Sequence, residues 1–165
     1  MSTRAALAVA VRIEDQVVYG YGVVGAHLRG ARQRFAARRL AAHQQLRDRW
    51  RELDRTAAAG EPAYELPFPV IDATSAAALA VRLEDAAAAA AYAVVVASGA
   101  DSAARRLAVD TLSNVASAAA RWRTIAGTAD DPVFPGQPVA VVDNQSSTTP
   151  TTSPSSSTTA SGTTS

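Results

Sequence analysis

The chain has 165 residues, 16 basic and 15 acidic side chains, and a formal net charge of +1. This length suits one domain with a core of its own and leaves little room for a second. Cysteine is absent, which excludes disulfide scaffolds, thiolate zinc sites, iron–sulfur clusters and thiol nucleophiles.

A mainly helical protein is predicted by the abundance of alanine, leucine and arginine, the best helix formers, and by stop signals at regular intervals. Apolar residues recur at three- and four-residue steps, as from Leu7 to Val11 and from Val18 to Tyr21. The four predicted helices run from Thr3 to Leu28, from Ala31 to Ala59, from Ser75 to Ser98, and from a cap at Asp101 or Ser102 to Gly127.

The connections between these helices decide the topology. Short connections make helices one and two, and helices three and four, antiparallel hairpins. Helices two and three are joined by Gly60 to Ala73, which reach about 46 Å when extended, whereas a helix of about 24 residues is roughly 36 Å long. Leu66, Phe68 and Val70 can anchor this proline-containing linker on the helices. The sequence therefore predicts an all-α, antiparallel four-helix bundle with a long crossover between helices two and three, the topology of ferritin-like folds.

The composition changes from Thr128 onwards. Val133 and Phe134, in a proline-rich segment, are expected to pack back onto the bundle as an extended strap, so that the folded domain covers residues 1–138. Residues 139–165 are rich in serine, threonine and proline and cannot bury enough apolar surface to order themselves. They are predicted to form a disordered tail.

The hydropathy of the chain bears on its cellular location. No apolar run is long enough to span a membrane, and Met-Ser-Thr-Arg leads into an amphipathic helix, unlike the uninterrupted apolar core of a signal peptide. We therefore expect a cytoplasmic protein without membrane contact.

Several motifs stand out along the chain. They are Glu14, Tyr19-Gly20-Tyr21-Gly22-Val23-Val24-Gly25-Ala26, Tyr64-Glu65-Leu66-Pro67-Phe68-Pro69-Val70, Arg82-Leu83-Glu84 and Arg121-Trp122-Arg123. Together they resemble an actinobacterial ferritin-like domain family of unknown function, over roughly residues 5–136. The resemblance implies a ferritin-like bundle and no established reaction.

Ferritin-like di-iron proteins place one Glu on each of two helices and a Glu-x-x-His pair on each of the other two. Here the first and third helices supply Glu14 and Glu84, but Leu40 stands three residues before His43 on the second helix. The fourth helix offers Asp110 and no histidine. Half of that ligand set is therefore missing.

Two interpretations of these residues remain open. In the first, Glu14, His43, Glu84 and Asp110 meet at mid-bundle and hold one divalent ion, since one histidine and several carboxylates suit iron, manganese or zinc. In the second, which we favour, no metal or other cofactor is bound. Glu14 and His43 then form a buried hydrogen-bonded pair, and Glu84 or Asp110 meets an arginine. His27, at the end of the first helix, is expected to lie at the surface.

The first helix contains three glycines between residues 20 and 25, each of which costs about 1 kcal/mol relative to alanine in a helix interior. Gly22 and Ala26 share one face and would let another backbone approach closely. That backbone belongs either to this bundle, as its crossover linker, or to a second copy of the chain, in a homodimer that also uses Tyr19 or Tyr21.

The second helix carries many arginines and few acidic residues. They are Arg32, Arg34, Arg38, Arg39, Arg47, Arg49, Arg51 and Arg55, with Asp48, Glu52 and Asp54. One interpretation is a surface for RNA or another anionic partner. The arginines are spread over several faces without exposed aromatic residues between them, so we favour a solvated helix with ion pairs from Asp48 to Arg51 and from Glu52 to Arg55.

No nucleophile paired with a base, phosphate-binding glycine loop or dinucleotide fingerprint is present. We therefore favour a non-catalytic, ferritin-like bundle with a degenerate metal site that acts through protein contacts, as a homodimer. The alternatives are a metal-binding ferritin-like protein with redox chemistry and an arginine-rich, RNA-associated accessory protein.

Overall fold

Four α-helices make up the fold. The computed structural model describes residues 1–100 and 102–128, and no strand occurs among them. The helices are α1 (Thr3–Ala26), α2 (Gly30–Leu53), α3 (Ala73–Ala97) and α4 (Ala103–Ala126). None of these helices has both the length and the apolar character needed to cross a membrane. The all-α prediction is confirmed, while the predicted strap and the tail of residues 139–165 lie outside the described residues.

Capping side chains fix where the helices begin. Ser2 and Ser102 each accept a hydrogen bond from the backbone N–H three residues on. At the start of α3 the cap is reciprocal, because Asp72 accepts from the backbone N–H of Ser75 at 2.7 Å and the Ser75 hydroxyl accepts from the backbone N–H of Asp72 at 3.1 Å. Gly127 ends α4 with a φ of 74°, a left-handed conformation that glycine adopts without strain. The cap at Ser102 and the end at Gly127 agree with the sequence prediction, whereas α3 begins two residues before the predicted Ser75.

The predicted end of the second helix is wrong. α2 ends at Leu53 and does not reach Ala59. Asp54 stops it, because its Oδ1 accepts hydrogen bonds from the backbone N–H of Thr56 at 3.1 Å and from the Thr56 hydroxyl at 2.6 Å. A side chain that bonds to the backbone two residues on competes with the helical pattern. The crossover is therefore longer than predicted and runs from Asp54 to Asp72.

The crossover follows α1 from its beginning towards its end. Arg4, in the first turn of α1, donates to the Thr56 hydroxyl at 2.8 Å, and further along Tyr64 packs edge-on against Tyr19 with ring centroids 5.8 Å apart. Alternate side chains of the next segment pack against the core: Leu66, Phe68 and Val70. α2 and α3 therefore run in the same direction, and the prediction of a crossover along the length of the bundle is confirmed.

Two apolar clusters fill the interior of the bundle. The first includes Val17 of α1 and Leu79 of α3, and the second includes Val11 of α1 and Trp50 of α2. Glu14 lies on the same buried face of α1, between the two clusters. The middle of the core is therefore polar, and the apolar packing on both sides keeps water away from it.

α1 and α3 approach each other closely at Gly20. A Cβ atom on Gly20 would lie 2.8 Å from both δ-carbons of Leu83, which is closer than carbon atoms approach without displacement. The lack of a side chain at Gly20 therefore allows α1 and α3 to pack closely, which brings the side chains of the two helices together. Added Cβ atoms at Gly22 and Gly25 would meet nothing within 4 Å. The crossover does not pack on Gly22, contrary to one of the two explanations offered for this glycine.

The packing between helices is uneven. Extensive contacts join α1 to α2, α1 to α3, and α3 to α4. Between α2 and α4 there is instead a cleft, whose walls include Ala42 and Leu46 of α2 and Thr111 and Val115 of α4. We refer to this space as the α2–α4 cleft.

Candidate functional site

Six polar side chains meet in the middle of the bundle, and all four helices contribute to them. This buried network consists of Glu14 and Tyr21 of α1, Arg39 and His43 of α2, Glu84 of α3, and Trp122 of α4. Arg39 is 7% exposed, and the exposed fraction of each of the others is 1% or less. Steps of seven residues on α1 and four on α2 place each pair on one helix face.

Glu84 is the centre of the network. Arg39 binds its carboxylate with two hydrogen bonds, from Nε to Oε1 at 2.7 Å and from Nη2 to Oε2 at 2.9 Å. The hydroxyl of Tyr21 also donates to Oε1. Two parallel bonds from one guanidinium fix the carboxylate in orientation as well as in charge. Glu84 is thus held by three donors in a site without access to water.

His43 connects Glu84 to Glu14. Its Nδ1 lies 2.7 Å from Oε2 of Glu14, while its Nε2 lies 3.4 Å from Oε2 of Glu84 and 3.1 Å from Nη2 of Arg39. The ring also stacks on Tyr21, with centroids 5.4 Å apart. When both ring nitrogens carry hydrogen, Nε2 and the Arg39 guanidinium are neighbouring donors to the same carboxylate oxygen.

The network extends from the core in two directions. Trp122 donates from its indole Nε1 to the Tyr21 hydroxyl at 2.8 Å, and its ring packs on Phe35 with centroids 4.8 Å apart. Arg39 donates from Nη1 to Oδ1 of Asn114 at 2.5 Å, and Asn114 is an exposed residue of α4. Arg39 therefore joins the buried carboxylate to the surface of the α2–α4 cleft.

The titratable groups of the network shift one another's pKa values. Burial alone would lower the pKa of His43, but hydrogen bonds and charge interactions with Glu14 and Glu84 outweigh burial and raise it to about 9. Burial raises the pKa of Glu14, and His43 offsets only part of that rise. Burial would also raise the pKa of Glu84, but the hydrogen bonds from His43 and Arg39 outweigh it, and the pKa is lowered. Arg39 and His43 are thus the cations that face the carboxyl groups of Glu84 and Glu14.

The hydrogen bonding of the network is complete. Among the described residues, the one buried side-chain polar atom without a partner is Oγ of Ser98, which lies outside the network at the end of α3. A fully satisfied buried network favours one arrangement of the helices, because any shift of a helix leaves a buried charge unpaired. The arrangement is suited to holding the four helices in register.

A metal ion does not fit this network. Both oxygens of Glu84 already accept hydrogen bonds from Arg39, so a metal would have to displace the guanidinium and lie next to its positive charge. Within residues 1–100 and 102–128, no group of three or more His, Asp or Glu side chains is placed to hold a metal ion. The Glu14–His43 pair and the contact of Glu84 with an arginine are those that the second interpretation of the sequence predicts.

Asp110, the fourth predicted ligand, is not part of the network. Thr111 and Val115 are the buried residues on this part of α4, whereas Asp110 is exposed. It lines the α2–α4 cleft together with Arg49 and Asn114. The structure therefore brings together Glu14, His43 and Glu84 and leaves Asp110 apart from them.

Other residues singled out in the sequence also have defined places. His27 is half-buried at the end of α1, with Nδ1 3.0 Å from the carbonyl oxygen of Val23. Tyr21 is buried, so it is not available for contact with another molecule, and Tyr19 packs on Tyr64. Gly22 is exposed.

The ion pairs predicted within α2 are wrong. Arg51 reaches across to Asp15 of α1, at 2.8 Å, and Asp48 pairs with Arg47 at 2.8 Å. Among the described residues, Glu52 and Arg55 form no ion pair. The arginine-rich helix is thus attached to α1 by Arg51, which reduces the number of its arginines that are free at the surface.

Comparisons with known proteins place the chain in a family. A family model described as "Domain of unknown function (DUF4439)" matches residues 6–139. The chain belongs to the DUF4439 family. The crystal structure of a conserved hypothetical protein, rv2844, from Mycobacterium tuberculosis has a TM-score of 0.71 and 34% sequence identity to it, covering 79% of this chain and 96% of that chain. No match was found among curated proteins. The predicted resemblance to a family of unknown function is confirmed.

Half of the network of this DUF4439 protein could not be assigned from its sequence. The sequence places Arg39 among the many arginines of the second helix and Tyr21 on an apolar stripe, and it gives Trp122 no polar partner. A signal for Arg39 does exist, since it precedes His43 by four residues and so shares its helix face. Tyr21 likewise follows Glu14 by seven residues on the buried stripe of α1.

Proposed function

We propose that this DUF4439 protein is a ferritin-like bundle in which a buried side-chain network takes the place of a metal centre, and that it acts through protein contacts and not by catalysis. The observation that carries the proposal is the pair of hydrogen bonds from Arg39 to Glu84 inside the core. A fixed positive charge on that carboxylate has the electrostatic role that a bound cation has in a metal site.

The crossover topology supports the ferritin-like part of this proposal, because one long crossover connection is typical of ferritin-like bundles. The enclosure of the network supports the non-catalytic part. Glu14, His43 and Glu84 are each 1% exposed or less, so no substrate reaches them without movement of the helices. A general acid or base needs hydrogen-bond contact with its substrate.

The metal-free state can be tested directly. Protein purified without chelator should contain no stoichiometric iron, manganese or zinc, and adding these ions should leave the melting temperature unchanged, because a ligand that does not bind the native state cannot stabilise it. Elemental analysis and thermal denaturation are the measurements. One metal ion per chain that disappears in Glu84→Gln would overturn the proposal and support the metal-binding alternative.

The proposed partner is a second copy of the chain, with contact through the Gly22 and Ala26 face of α1. Both residues are exposed, and the absence of atoms within 4 Å of an added Cβ at Gly22 leaves room for another helix. Sedimentation should show a dimer in the unmodified protein and a monomer in Ala26→Glu. Ala41→Glu, at an exposed position of α2, is the matched control and should remain dimeric. An unmodified protein that sediments as a monomer contradicts the proposal.

A further inference from the structure

At the α2–α4 cleft the surface of the protein reaches the buried network through Arg39. It has a volume of about 210 Å³ and is bounded by one face of α2 and one face of α4. Since a water molecule takes about 30 Å³ in the liquid, the space corresponds to roughly seven waters. It is smaller than the pockets that hold drug-sized molecules, which begin at about 300 Å³.

The cleft is polar at its base and at its mouth. Arg39 lies at its base, 7% exposed, and shares a hydrogen bond with Asn114. Between them and the mouth are the apolar side chains of Leu46 and Val115. An apolar pocket with a few fixed polar groups is the usual form of a small-molecule site.

Each wall of the cleft carries one exposed charged side chain. Arg49 lies on α2 and Asp110 on α4, and both line the cleft. Neither makes an ion pair or a side-chain hydrogen bond with any residue in the described ranges 1–100 and 102–128. Gln45, on the same face of α2 as Arg49, also makes no such bond and adds an amide group to the lining. A positive wall and a negative wall that do not pair with each other can each bind one end of a ligand with two charges.

We propose that the α2–α4 cleft binds a small zwitterion of the amino-acid class. The carboxylate of the ligand is bound by Arg49, a guanidinium suited to paired hydrogen bonds with a carboxylate. Its ammonium group is bound by Asp110, and the amides of Gln45 and Asn114 bind the remaining polar atoms. This assignment does not depend on the proposed homodimer or on the metal-free state of the core.

Titration of the isotopically labelled full chain with amino acids tests the assignment. L-Alanine and L-glutamate are expected to shift the side-chain amide signals of Gln45 and Asn114 in an NMR spectrum until the shifts saturate. Propionate and glutarate lack the amine of these two ligands and should bind about tenfold more weakly, because one hydrogen bond between charged groups is lost.

Substitutions at the two walls separate their roles. Arg49→Gln should weaken binding of both amino acids about tenfold, and Asp110→Asn should remove the preference for an amino acid over its amine-free analogue. Both positions are exposed, so the fold is retained, and Arg34→Gln, an exposed position of α2 outside the cleft, should bind as the unmodified protein does. Absence of saturable shifts with both amino acids, or equal weakening by Arg34→Gln, would overturn the proposal.

Discussion

Arg39→Leu is expected to lower the free energy of unfolding by about 3–5 kcal/mol, the cost of removing one partner from a buried ion pair. The substitution leaves Glu84 fully buried, with the two guanidinium hydrogen bonds lost and only Tyr21 and His43 as neighbours. Leucine fills part of the volume of the arginine side chain, so most of the loss comes from a buried carboxylate that has lost its guanidinium and keeps only His43 as a cationic partner.

Urea unfolding measures this effect, and two further variants show its cause. Arg34→Leu removes an exposed arginine from the same helix and should change the free energy of unfolding by no more than about 0.5 kcal/mol. In the double variant Arg39→Leu with Glu84→Gln the buried charge is absent, so a substantial part of the lost stability should return. If Arg39→Leu is no more destabilising than Arg34→Leu, the guanidinium has no structural role in the core.

The overall fold was predictable because it depends on features that are local in sequence. Capping residues such as Asp72 and Ser102 mark where helices begin. The linker between α2 and α3 is long enough to run the length of the bundle, so these two helices are parallel. The end of α2 was not predictable in the same way. Asp54 lies among good helix formers, and only its bonds to Thr56 show that the helix stops there.

Only some residues of the buried network could be predicted from the sequence. Glu14, His43 and Glu84 stand out because charged residues are rare on apolar stripes. Arg39 does not stand out, since it is one of many arginines on α2 and its neighbour Arg38 is exposed. Which arginine turns inward depends on the position of a carboxylate 45 residues away on another helix, and no local pattern contains that information.

The stability of the protein should also fall as the pH rises from about 6.5 to above 9. His43 has its pKa raised from 6.5 to about 9 by Glu14 and Glu84, against the effect of burial. Because the pKa of the histidine is raised, the folded state keeps its proton at pH values at which the unfolded chain has released it. The stabilisation is therefore complete below pH 6.5 and is lost as the pH rises past the pKa of His43 in the folded state. The expected total is about 3 kcal/mol.

Other titratable groups of the network surround His43. The pKa of Glu84 is lowered, burial raises that of Glu14, and the raised pKa of Tyr21, which burial and Glu84 cause, places its ionisation above 10. Arg39 stays charged throughout. The pKa of about 9 places the charge change of His43 in this window.

Urea unfolding at a series of pH values provides the measurement. His43→Gln has no titrating side chain at this position, so its stability should decline less between about pH 6.5 and 9 than that of the unmodified protein. His27→Gln replaces the only other histidine of the sequence and should keep the decline of the unmodified protein. If the decline is as large in His43→Gln as in the unmodified protein, or disappears in His27→Gln, His43 does not hold the proton. The imidazole of His43 would then be neutral in the folded network.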